Sequence, residues 1–168
     1  MGGYVYPIRE SFPNWGNNMD WNMQADVNSA KYVLENSNPT LIPLTVTVET
    51  AIRRSYLAVL KQSGRLGEIL ALQAEAINHE YHNEERFGKT CKGLPSDILN
   101  FQHDALACAI GLGWNEGAEI QELPLKFEIK DGWLHENLSE DGKRTKVVTE
   151  VNGEKFNQLW FELITKPS

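Results

Sequence analysis

The sequence predicts an α/β fold, and three observations carry the prediction. Residues 44–48 and 125–130 alternate apolar with polar side chains, the period of a half-buried strand. Other stretches repeat apolar residues at i, i+3, i+4 and i+7, the period of an amphipathic helix. The two patterns interleave along 168 residues without a repeat, a low-complexity tract or an internal boundary, so a single domain over 1–168 is expected.

Residues 1–25 lack a period and read as loop, yet their apolar residues are large: Tyr4, Tyr6, Phe12, Trp15 and Trp21. A loop of this length is more often functional or disordered than neutral. Asp26 can cap a short helix that turns Ala30, Val33 and Leu34 inward and stops at Asn38-Pro39. Leu44, Val46 and Val48 alternate with Thr45 and Thr47, which predicts a strand over 41–48. Ile52, Tyr56, Val59 and Leu60 then share a helical face that ends near Ser63-Gly64, and Leu66, Ile69, Leu70, Ala74 and Ile77 mark a second helix. The polar stretch 82–96 reads as an exposed connection. Ser96 or Asp97 can cap a helix with the stripe Ile98, Phe101, Ala105, Leu106, Ala109 and Ile110, which Gly111 and Gly113 end. Leu125, Phe127 and Ile129 mark a half-exposed strand closed by an Asp131-Gly132 turn. Val147, Val148 and Val151 indicate another short strand, and Phe156, Leu159, Trp160, Leu163 and Ile164 a last helix.

Composition narrows the function classes. With 16 Lys and Arg against 23 Asp and Glu, the formal net charge is −7, which argues against a nucleic-acid polymer as partner. No apolar run approaches the roughly 18–20 residues that span a bilayer, so no membrane partner is expected. The start MGGYVYPIRE lacks a basic segment followed by an apolar one, and Tyr6 breaks the myristoylation pattern. Cys91 and Cys108 fit free thiols in a reducing cytoplasm, the expected location, with one bridge as the alternative.

Three segments carry candidate chemistry. The run from Asn14 to Asn22 places amides and the Asp20 carboxylate within nine residues, a donor and acceptor set suited to sugar hydroxyls; turn geometry alone also accounts for it. His103-Asp104 would work best at a helix N-terminus, with His toward a substrate and Asp toward a cation; the alternative is an ordinary surface pair. His79 and His82 stand at metal-sharing helical spacing, although solvated charge at a polar helix end is the simpler account. Phosphate-binding glycine motifs and the GxSxG elbow are absent.

The order of the short motifs is more specific than any one of them. Met1-Gly-Gly, Asn14, Asp20-Trp-Asn22, Asp26-Val-Asn-Ser-Ala30, Leu44-Thr-Val-Thr47 and His103-Asp-Ala-Leu-Ala107 follow one another as in the inosine–uridine nucleoside hydrolases, which the chain resembles. That family has Met-Gly-Gly at a strand end, an Asn, an acidic-aromatic-Asn triplet, Asp-Pro-Glu-Ala-Ala, Leu-Asp-Val-Thr and His-Asp-Pro-Leu-Ala. The resemblance implies the C-terminal portion of a nucleoside hydrolase-like fold, with a mixed, mostly parallel sheet flanked by helices. It also implies hydrolysis of the N-glycosidic bond of ribonucleosides to ribose and free base, with a bound Ca²⁺. On this reading Asp104 is a calcium ligand and His103 a catalytic proton donor to the leaving base. Asn14, Asp20, Trp21 and Asn22 serve the ribose site, and Met1 lines the pocket.

The departures are equally concrete. The family's Asp-Thr-Asp-x-Gly-x-Asp-Asp run, which builds most of the calcium site and supplies the base, has no counterpart in the chain. Ca²⁺ takes about six to eight oxygens, so Asp104 alone leaves that site incomplete. Asp20 stands where the family has Glu, Thr45 where it has Asp, and Ala105 where it has Pro. Met-Gly-Gly lies about midway in the family and at residue 1 here, so a C-terminal half is expected, with a separate or upstream N-terminal half as partner. Family members are commonly homo-oligomers. The alternative function is a non-catalytic sugar- or nucleoside-binding remnant or interaction module.

Overall fold

The computed structural model of the chain describes residues 1–166. Its elements begin after the opening loop, with a 3₁₀ turn at Asn17–Met19 and the single-turn helix α1 (Trp21–Gln24). The Asp26 carboxylate opens α2 (Val27–Asn36), accepting from Ser29 N at 3.1 Å and Ser29 Oγ at 2.7 Å. There follow β1 (Thr40–Leu41), α3 (Leu44–Thr47), β2 (Ala51–Arg53), α4 (Leu57–Gln62) and α5 (Arg65–Tyr81). The second half holds β3 (Ile98–Phe101), α6 (His103–Gly111), β4 (Ala118–Lys130), β5 (Trp133–Leu138), β6 (Lys143–Val151) and α7 (Gly153–Thr165). This is the expected mixed α/β architecture.

The contacts divide the chain into two compact units. The first comprises Met1–Glu10, Asn14–Thr47 and His103–Val151, and is built on a sheet of order β1-β6-β4-β5. β1 runs parallel to β6, while β6–β4 and β4–β5 are antiparallel. The β4–β5 turn is the Asp131-Gly132 pair foreseen from sequence, with φ of 53° and 85°. Two successive positive φ values match the right-handed twist of a hairpin, and Asp-Gly tolerates them best. Leu34 of α2 packs with Leu41, Leu125, Phe127, Leu134 and Val147 of the sheet to form this unit's core.

The second unit comprises Ser11–Pro13, Val48–Gln102 and the chain from Asn152 onward. β2 and β3 pair antiparallel, and Leu99 joins Ile52, Leu57, Leu60, Ala71 and Ala74 in its core. Tyr56 stacks on Phe161 with centroids 4.3 Å apart. The buried Asn157 Oδ1 accepts from Ala51 N at 2.8 Å and from Gln102 Nε2 at 3.2 Å, so the polar groups of this core partly satisfy each other.

Three local expectations are corrected. Residues 44–47 are helical, not extended: Val46 N and Thr47 N both bond Pro43 O at 3.2 Å, closing one turn behind a proline whose φ is already helical. Leu44, Val46 and Thr47 are all buried, so the alternation marked no solvent face. Residues 98–101 form strand β3, and the helix begins only at His103. Ile98 and Leu99 are both fully buried, and a short apolar run inside a core carries no period that separates helix from strand. Finally, the helix expected from Ile52 starts at Leu57, after strand β2 and a 3₁₀ turn at Arg54–Tyr56.

Candidate functional site

The site is assembled around the Met1-Gly-Gly segment of the first unit. Gly2 N donates to Ile42 O at 2.9 Å and Gly3 O accepts from Leu44 N at 3.0 Å, which lays the segment against the start of α3. Gly3 has φ of 108°, a conformation that glycine adopts without strain. Asp20 Oδ2 accepts a short bond from Gly3 N, and Asp20 Oδ1 caps α1 through Met23 N at 3.4 Å. The next amide, Tyr4 N, donates to Glu136 Oε2 at 3.1 Å. Asn22 Nδ2 reaches Met1 O at 3.0 Å and Met1 Sδ at 3.3 Å. Two acids and an amide therefore hold the backbone at Met1, Gly3 and Tyr4.

Both acids are buried, with Asp20 1% and Glu136 3% exposed. Burial raises the Asp20 carboxyl above its usual range, against the pull of the Gly3 and Met23 amides. Burial also pushes Glu136 up to about 7, with the Asp20 charge adding to the shift. Glu136 Oε1 is buried and accepts no hydrogen bond from any described residue. An ionised carboxylate is costly in that position, so the proton is retained well above the ordinary carboxylate range.

In front of this anchor lies a cavity of about 210 Å³. Met1, Trp15, Met19, Trp21, Asn22, Leu44, His103 and Asp104 line it. His103 and Asp104 are the first two residues of α6, the helix start that suited the pair. His103 Nδ1 lies 2.8 Å from Thr47 Oγ1 on α3. Burial holds the His103 imidazole down at about 4, against the opposing charge of the Asp104 carboxylate, so the ring is neutral at pH 7. Trp21 is 78% exposed and offers an indole at the rim. A larger cavity of about 410 Å³ adjoins Met1 and Asn22, but most of its lining is apolar, including Ala30, Val33 and Leu34 of α2 and Leu41 of β1, and it lacks the His-Asp pair.

Of the residues singled out in the sequence, Met1, Trp21, Asn22, His103 and Asp104 meet at one cavity. Asp20 does not line it; its oxygens are turned to backbone amides beneath. Asn14 is exposed and also lies outside the lining. The amides that reach β5 are instead Asn17, whose Nδ2 donates to Leu134 O at 3.2 Å, and Gln24, which both donates to Leu134 O and accepts from Leu134 N. Glu136 was missed, although a signal existed. Leu134 and Glu136 share strand parity, so a residue two after a core leucine points to the same buried face.

The expected metal chemistry has a specific geometric test. Asp104 brings one exposed carboxylate, and among the described residues no three His, Cys, Asp or Glu side chains form a metal-holding group. The residues present do not fit Ca²⁺ as a self-contained site. His79 and His82 do not share a helix face, because His82 has φ of 53° and terminates α5. Cys91 and Cys108 are free thiols. Among the described residues no helix is long and apolar enough to cross a membrane.

The cavity thus gathers a neutral imidazole, a carboxylate, an amide and indole faces at a helix start, groups of the kind that bind ring-bearing, hydroxyl-rich small molecules. The family follows from comparison: the model described as inosine-uridine preferring nucleoside hydrolase matches residues 1–158, and the chain belongs to that family. A comparison with curated proteins gave no match.

Proposed function

We propose that the 210 Å³ cavity is the sugar-and-base pocket of a nucleoside hydrolase-type glycosidase and takes a ribonucleoside or related glycoside. The observation that carries this reading is the convergence of Met1, Trp21–Asn22 and His103–Asp104, three distant segments, on one cavity. Asn22 supplies an amide for a ribose hydroxyl, and Trp21 and Trp15 supply faces for the ring. His103 stands beside the leaving base, where proton delivery is typically worth roughly 10²–10⁴-fold. As a neutral ring at pH 7, it serves as an acid only after taking up a proton. Asp104 is the carboxylate of the cavity that would offer a ligand to Ca²⁺, and a complete site would need further oxygens from beyond the described residues.

The lack of a three-ligand group among the described residues favours a second reading for the 168 residues by themselves. In that reading they form a non-catalytic glycoside-binding module. One experiment separates the two. Ribose release from inosine, uridine and a chromogenic riboside is measured with Ca²⁺ and with chelator, alongside inosine binding by calorimetry. The expected result is binding without turnover. Chelator-sensitive hydrolysis by the isolated chain would overturn the claim that its metal ligands are insufficient, and absence of both binding and turnover would remove the glycoside pocket.

A further inference from the structure

The Thr47–His103 contact assigns a role to a residue that the motif comparison left without one. A neutral imidazole carries one N–H, and the hydrogen bond at one nitrogen decides which nitrogen keeps the proton. Thr47 is fully buried at the end of α3, and its Oγ1 donates to Leu44 O at 3.3 Å, within the same turn. A hydroxyl has a single proton. That proton can be directed at Leu44 O, which leaves the Oγ1 lone pairs to accept from the ring nitrogen 2.8 Å away.

We propose that Thr47 is a positioning residue that holds His103 as the Nδ1–H tautomer, which makes Nε2 the acceptor nitrogen of the ring. Any hydrogen bond that Nε2 makes is then one it accepts. A ligand that bonds this nitrogen must present an N–H or O–H, and a bare carbonyl or ring nitrogen is refused. The same geometry orders the proton handling: Nε2 must gain a proton before it can give one. Leu44 lines the cavity and supplies the acceptor for Thr47, so the start of α3 both shapes the pocket and sets the tautomer.

The relevance of this tautomer to catalysis rests on the proposed function, but the tautomer itself does not. It is therefore tested on the ligand-free chain. Two-bond ¹H–¹⁵N correlation spectra of ¹⁵N-labelled protein at pH 7 distinguish the protonated nitrogen from the lone-pair nitrogen of each neutral ring. The expected spectrum has His103 protonated at Nδ1. Thr47→Val should raise the Nε2–H population about fivefold, the equivalent of one net hydrogen bond. Thr47→Ser should restore the wild-type pattern, which loss of packing alone does not predict. Should the Val variant fail to fold, the wild-type and Ser spectra still decide. A wild-type ring protonated at Nε2, or at both nitrogens, overturns the proposal.

Discussion

Asp20 reaches the core because its two oxygens each find a backbone donor, and removing them leaves a buried amide without a partner. Asp20→Ala should therefore cost about 1–3 kcal/mol, from an unsatisfied Gly3 N and an uncapped α1. Urea denaturation measures this directly, and an unchanged midpoint would contradict the anchoring role. His103 and Asp104 allow a functional prediction at the same scale. In a form competent for hydrolysis, His103→Ala should slow release of a purine base more than release of a good leaving group, since only the poor leaving group needs a proton. Equal losses for both substrates, compared by kcat/KM, would take His103 out of the acid role. The sequence had indicated this pair from adjacency alone. It gave no sign that burial holds the ring near 4 and neutral.

At the scale of elements, the caps and turns follow local rules and the short buried pieces do not. Asp26 before α2 and Asp131-Gly132 between β4 and β5 are read from neighbouring residues, because the hydrogen bonds and φ values they serve are local. α3 and β3 are decided by surroundings: the alternation at 44–48 marked no solvent face, and the buried pair Ile98-Leu99 had no period to separate helix from strand. Gly67 in α5 shows tertiary packing overriding propensity. Helix propensity favours Ala over Gly by about 1 kcal/mol. Yet a Cβ on Gly67 would stand 2.3 Å from Leu60 O, a backbone atom of α4 that no rotamer can move aside. Gly67→Ala should therefore destabilise the second unit by about 1–3 kcal/mol, seen as a lower Tm by circular dichroism. A raised Tm would mean that the α4–α5 approach yields easily.

For the whole molecule, two buried titratable groups pull stability in opposite directions with pH. His103 falls from 6.5 unfolded to about 4 folded, so the unfolded chain binds more protons between these values and stability is lost as pH drops through them. Glu136 rises from 4.5 to about 7, so the folded chain binds more protons and this contribution is lost as pH climbs through that window. Glu136→Gln removes the second effect only. Its stability relative to wild type should increase by on the order of 2–3 kcal/mol between pH 4.5 and 8, measured by urea titrations at several pH values. A constant difference would show that Glu136 titrates normally. The sequence by itself determined the α/β class, the long helices α5 and α7, the strand end at the Asp131-Gly132 turn and the ordered motifs of the nucleoside hydrolase family. These rest on periodicity, capping and turn chemistry, all written within a few residues. Only the tertiary structure decided that Asp20 anchors backbone without lining the cavity, that Asn14 stays outside it, and that Glu136 is buried and holds its proton to higher pH than an ordinary carboxyl. It alone also joined Thr47 to His103 across 56 positions. Burial and pairing of that kind depend on which distant segments are packed together, and no local pattern carries that information.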